Sequence, residues 1–93
     1  MKVKVKFLAV LAPLAKEKEY HVELGEEATL SNLLLYLREN ESEQLLKRLF
    51  DNGELSPDVL VFVSGVEVSL LGGMSAKLKD GDEVVFLPTV HGG

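Results

Sequence analysis

The residues best placed to do chemistry stand at the end of the chain, in the stretch FLPTVHGG over residues 86–93. A terminal carboxylate is a substrate group, not a catalyst. It is a poor electrophile until it becomes a mixed anhydride, as adenylation with ATP would make it, and a sulfur or amine nucleophile can then attack. Glycines lack a Cβ, so backbone built from them can thread a narrow channel and approach a partner's active site closely. With glycine at about 7% of average composition, a terminal pair arises by chance in about half a percent of chains. Pro88 has no N–H to give a strand ladder and closes the strand expected before it. Thr89–Gly93 contain nothing that would fold back as an element, and five extended residues reach about 17 Å. The expected division is a folded body over 1–88 and a flexible tail over 89–93. Gly93 supplies the reactive carboxylate, and Pro88, Thr89, Val90, His91 and Gly92 present it to a partner. No role attaches to His91.

The rest of the chain offers little other chemistry. There is no cysteine, which removes disulfides, thiolate nucleophiles and cysteine-based metal sites. No zinc pattern or nucleophile elbow occurs, and no metal site is expected. Of the two histidines, His21 falls on the polar side of an alternating segment and reads as a surface residue without a placed partner. Glu26, Glu27, Glu39, Glu41 and Glu43 read as solvated loop and helix ends. Gly72-Gly73 lacks the wider glycine spacing and the helix start of a phosphate loop, and reads as a turn. The net charge of −5 argues against nucleic-acid binding, which needs a clustered basic surface. It leaves room for an acidic face docking on a basic protein partner.

The elements that must position the tail follow from periodicity. The 93 residues, 46% apolar and 27% charged, suit one small globular domain. The lysines of MKVKVKF alternate with apolar residues instead of preceding an apolar run, which marks a strand and not a targeting segment. No stretch approaches the roughly 20 apolar residues of a membrane span, so no membrane association is expected and the cytoplasm is the default location. Lys2, Lys4 and Lys6 against Val3, Val5 and Phe7 give one wet and one buried face. Pro13 precludes a central strand over 10–16, where Leu11 and Leu14 suit a helical turn. Residues 19–24 alternate again, which suggests a hairpin. Thr29 reads as an N-cap whose hydroxyl accepts from a free N–H. Leu30, Leu33, Leu34 and Leu37 form the apolar stripe of the main helix, with Asn40 as its stop. Ser42 caps a second, shorter helix carrying Leu45, Leu46, Leu49 and Phe50, and DNG at 51–53 marks a turn. Val59–Val63 is apolar on both sides, a strand at least partly covered on each. Val66–Val68 forms a short strand. Leu70-Leu71 is either core or an exposed docking patch. Asp80-Gly81 turns into a last strand over 83–87. The order β-β-α-α-β-β-β gives an α+β fold, a mixed sheet with one main helix packed across it and a short second helix. That is the β-grasp, or ubiquitin-like, architecture.

Three stretches carry a family resemblance. VKVKFLAVLAPLA looks like a first strand and its turn, TLSNLLLYL like a helix start, and LKDGDEVVFLPTVHGG like an ending. Together they resemble the ubiquitin-like sulfur carriers, most closely the small subunit of molybdopterin synthase and the archaeal small modifier proteins. The resemblance implies that a ubiquitin-activating-type adenylyltransferase uses ATP to adenylate Gly93, and that a sulfur donor converts it to a thiocarboxylate. The tail then enters the molybdopterin synthase large subunit, and sulfur passes to a cyclic pyranopterin monophosphate to build the dithiolene that holds molybdenum or tungsten. This chain would be the non-catalytic, sulfur-carrying subunit, with no stably bound cofactor. Thr89 stands where the family often has a second proline, and His91 where it often has a small residue. The length of 42–58 favours this branch over the thiamine-pathway carriers. An adenylated Gly93 attacked by a lysine would instead make the chain a protein modifier. A β-grasp interaction domain with incidental glycines is the plain alternative. Deleting Gly92 and Gly93 is expected to leave the melting temperature nearly unchanged while abolishing function in cells; an unchanged phenotype would favour the plain alternative.

Overall fold

The computed structural model describes residues 1–89. The lysine–apolar alternation forms strand β1, Lys2–Phe7, with Val3, Val5 and Phe7 buried. β2, Glu19–Glu23, returns antiparallel to it, with Val22 opposite Val3 and Tyr20 opposite Val5. Between them Ala9–Leu14 winds into a 3-10 turn that includes Pro13 and buries Leu11. Helix α1, Leu30–Asn40, begins at Thr29. Thr29 is the N-cap, as expected, in a capping box with Asn32, whose Oδ1 accepts from the Thr29 N–H, at 2.8 Å, and the Thr29 hydroxyl, at 3.0 Å.

Helix α2, Glu43–Leu49, starts at Ser42, whose hydroxyl oxygen accepts from the Leu45 N–H at 3.1 Å. Phe50, expected in this helix, instead leaves it at the C-cap and opens a two-residue hairpin of β3, Phe50–Asp51, and β4, Glu54–Leu55. The physical reason is the turn between them. Asn52 and Gly53 both take positive φ, 53° and 80°, which suits the mirror-image turns that match strand twist. Arg38 then lies 4.4 Å over the Phe50 ring and donates to the Gly53 carbonyl.

β5, Val59–Val63, is followed by β6, Val66–Glu67, which is one residue shorter than expected because Val68 enters the first of two 3-10 turns, Val68–Leu71 and Gly73–Ser75. Gly72, between those turns, and Gly73, the first residue of the second, adopt φ of 103° and 63°, backbone that glycine takes without strain. β7, Glu83–Pro88, completes a five-stranded sheet in the order β2-β1-β7-β5-β6. β7 runs parallel to β1 and antiparallel to β5. Leu30, Leu33, Leu34 and Leu37 of α1 join Val3, Val5, Val61, Val84 and Phe86 of the sheet in one core, with Leu45 and Leu49 of α2. The mixed sheet with a main helix and a short second helix is the architecture expected from the element order.

Glu41 departs from its expected place in solvent. It is only 9% exposed. Its Oε1 accepts from the N–H groups of Lys16, at 3.1 Å, and Ser42, at 2.9 Å, and its Oε2 accepts from the Tyr20 hydroxyl at 2.5 Å. A carboxylate holds up to four acceptor sites, and here it stitches the loop after the first 3-10 turn to the junction of the two helices. Ser42 adds a bond from its hydroxyl to the Leu14 carbonyl at 2.6 Å. Burial, and then the bond to Glu41, pushes the Tyr20 hydroxyl well above its ordinary value of 10.0.

Two outcomes follow. Glu41→Ala strands three donors and is expected to cost about 3 kcal/mol in urea unfolding, against about 1 kcal/mol for Tyr20→Phe. Because the folded state holds the Tyr20 proton more tightly than the unfolded chain, that contribution is complete below pH 10 and is lost as pH rises beyond it. Tyr20→Phe is therefore expected to flatten the alkaline fall in stability, followed by unfolding monitored through tyrosinate absorbance.

Candidate functional site

The strand that carries the tail is a core strand. β7 lies between β1 and β5, and Phe86 is fully buried, stacked on Phe7 with ring centroids 5.2 Å apart. Leu8 N–H donates to the Phe86 carbonyl at 3.0 Å, and Pro88 pairs with Val59 at the end of the β5–β7 ladder. The next residue is also tied down. Thr89 donates to the Asp58 carbonyl from its N–H, at 2.7 Å, and from its hydroxyl, at 3.1 Å. The expected tail thus has its first residue fastened to the body. Val90, His91, Gly92 and Gly93 lie outside the described residues.

The face of the sheet turned away from the helices is divided. In register, Lys6 and Lys4 stand beside Glu19 and His21 on one side and beside Val85 and Glu83 on the other. Phe62 stands opposite Val85, and Leu60 opposite Leu87. The half over β1 and β2 is polar and internally paired: Lys4 Nζ lies 2.9 Å from Glu19 Oε2. That hydrogen-bonded pair holds the Lys4 ammonium above its usual range and the Glu19 carboxyl below its own. The half over β7 and β5 is apolar. Leu60, Phe62, Val85 and Leu87 are partly buried, none of them among the exposed large apolar side chains, and the strip they form leads to Pro88 and Thr89.

A groove of about 260 Å³ opens at the root of the tail, lined by Leu11, Phe50, Val59 and Pro88 with Lys47 and Arg48 at its wall. A larger one, about 450 Å³, lies on the helix side between Arg38, Leu55, Val68 and Met74. Leu70 is 79% exposed, so the Leu70-Leu71 pair resolves as surface and not core. His21 is exposed, as expected. Among the described residues no cluster of His, Asp or Glu side chains could hold a metal ion. No helix there is long and apolar enough to cross a membrane.

Sequence reasoning picked out the strand and Pro88 but not Asp58, which works through its backbone carbonyl and so leaves no side-chain signature. A weak signal existed in Ser56-Pro57-Asp58, a turn triplet immediately before β5. The apolar strip was legible only in part. VLVFV reads as a strand at least partly covered on each face, and the structure agrees, with Leu60 and Phe62 partly buried, but it does not say which residues neighbour them.

The mixed sheet with its parallel central strands, main helix and short second helix defines a ubiquitin-like β-grasp protein. More narrowly, residues 2–93 match the Urm1 (ubiquitin related modifier) family, and the chain belongs to it. It is 36% identical over 93 residues to small archaeal modifier protein 3 of Haloferax volcanii, with all of both chains covered. It is 38% identical over 69 residues to a putative sulfur carrier protein of Archaeoglobus fulgidus, covering 74% of this chain and 78% of that one. Among solved structures, SAMP1 from Haloferax volcanii superposes with a TM-score of 0.86 at 26% identity over the whole of both chains. A putative molybdopterin converting factor, subunit 1, from Pyrococcus furiosus superposes at 0.72 with 30% identity, covering 97% of this chain and 99% of that one. The family is thus one of ubiquitin-like modifiers and sulfur carriers.

The two faces of the sheet predict opposite responses. Phe86→Ala is expected to destabilise by about 3–5 kcal/mol. Phe62→Ser, on the open face, is expected to cost about 1 kcal/mol or less. Chemical denaturation of both variants checks the division.

Proposed function

We propose that this protein is a sulfur carrier whose reactive group is the carboxylate of Gly93. The carboxylate attacks the α-phosphorus of ATP on an adenylyltransferase of the ubiquitin-activating type and displaces pyrophosphate. A hydrosulfide equivalent then displaces AMP, so that one carboxylate oxygen is replaced by sulfur. The acceptor is the cyclic pterin precursor of molybdopterin, held by a synthase large subunit that supplies the catalytic side chains. The observation that carries the reading is the end of β7: a buried central strand ends at a fixed point, Thr89 on the Asp58 carbonyl, beside a partly exposed apolar strip. A partner that grips Leu60, Phe62, Val85 and Leu87 would receive the terminus in a set position. The full-length match to a modifier, the similarity to a putative sulfur carrier and the fold shared with a putative molybdopterin converting factor subunit support it.

A second reading has support of its own. The family is described as a ubiquitin related modifier. The same adenylate attacked by a lysine amine would release AMP and leave an isopeptide bond. Incubation with the adenylyltransferase, ATP and a sulfur source, followed by intact mass measurement, tests the first reading. Replacement of one oxygen by sulfur at Gly93 is expected, and its absence sinks the proposal. Leu87→Asp is expected to slow that conversion without unfolding the protein. Searching digests of cellular protein for Gly-Gly remnants on lysine tests the second; none under several growth conditions would count against it.

A further inference from the structure

Thr89 has a part in the fold that its position after a strand-closing proline does not suggest. Pro88 cannot donate to the ladder, and a chain leaving the sheet there would be free from residue 89 onward. Thr89 instead puts two donors on one acceptor, the Asp58 carbonyl. That oxygen has two lone pairs and can take both. Threonine suits the task because its β-branch restricts the side chain to few rotamers, so the hydroxyl is held ready with little freedom to lose. The acceptor is itself held. Asp58 N–H donates to Ser56 Oγ at 3.1 Å, Val59 N–H to the Ser56 carbonyl at 3.1 Å, and Ser56 N–H to the Leu49 carbonyl at the end of α2 at 2.7 Å. A continuous set of ties therefore runs from the second helix through the 56–58 turn to residue 89.

We infer that Thr89 is a positioning residue that sets the length of the segment presented to a partner. Releasing Thr89 moves the last point fixed to the body back by one residue, to Pro88, and adds about 3.5 Å of reach. A proline at this position would remove both donors. The consequence for a reaction rests on the reading of Gly93 as the activated group. A residue released from the body must be ordered again when the segment enters a partner's channel, which weakens productive binding by about tenfold. The chemistry at the carboxylate is untouched, so the effect falls on KM and not on kcat.

Thr89→Pro, Thr89→Val and Thr89→Ser separate the contributions, because valine keeps the N–H and serine keeps both donors. In ATP–pyrophosphate exchange catalysed by the partner adenylyltransferase, Thr89→Pro is expected to raise the KM for this protein about tenfold with kcat unchanged. Thr89→Val should fall between, and Thr89→Ser should match the parent. A proline variant with the parent's KM overturns the inference, as does one that lowers kcat and melting temperature together with KM unmoved. Hydrogen exchange at the Thr89 amide of the unaltered protein gives a second readout, independent of any enzyme. Protection relative to the unfolded-chain rate is expected, and exchange at that rate refutes the clamp. Protection at Thr89 with no pyrophosphate exchange by the parent would leave the clamp standing and count against the carrier reading alone.

Discussion

The pairing of the first strand with the last is the constraint on which the rest of the molecule depends. β1 and β7 lie side by side and parallel at the middle of the sheet. Parallel neighbours cannot be joined by a tight turn, so everything between residues 7 and 83 is in effect one long crossover. It must supply the outer strands on both sides and the helices that cover one face. Phe7 and Phe86 stack where the two strands meet. Their contact ties the two halves of the chain into one core, and Leu8 N–H to the Phe86 carbonyl extends the tie past the strand end.

That arrangement brings three separate segments of the chain to one end of the sheet. Because β1 and β7 are parallel, the 3-10 turn after β1 and the exit of β7 lie at the same end of the sheet. The antiparallel β5 brings its own beginning, with Ser56, Pro57 and Asp58, to that end as well. The Glu41 carboxylate fixes the loop that follows the 3-10 turn, and the Asp58 carbonyl fixes the residue that follows β7. Two acceptors, one a side chain and one backbone, thus hold the surroundings of the exit point on opposite sides.

Much of this was legible from the sequence. The period-two segments KVKVKF and EYHVE could only be half-covered strands, and the leucines of α1 could only be a buried helical stripe. Together with VLVFV and the DGDE turn they yield the fold. What was not legible came from groups whose role depends on partners distant in sequence. Glu41 looks like any other acid at a helix end, because its donors come from Lys16 and Tyr20 as well as from its neighbour Ser42. Phe50 carried the helical spacing of α2, yet the Asn52-Gly53 turn two residues on outweighed it. The apolar strip of the open face combines residues from two strands more than twenty positions apart, so only the register assembles it. The Thr89 clamp uses a main-chain oxygen, about which side-chain identity says nothing.

The central place of β7 has a consequence for how the protein comes into being. A growing chain is made from its N-terminus, so the segment that fills the gap between β1 and β5 emerges after every other described strand and helix. Until residues 83–88 are available, Val5 and Phe7 lack their covering neighbours Val84 and Phe86, and no stable sheet can close. A product cut short before Glu83 lacks Val84 and Phe86 from its core and the strand that joins β1 to β5, and is expected to be more open to proteolysis. Synthesis thereby checks itself: a chain that has closed its sheet is also one in which residues 83–88 have been made.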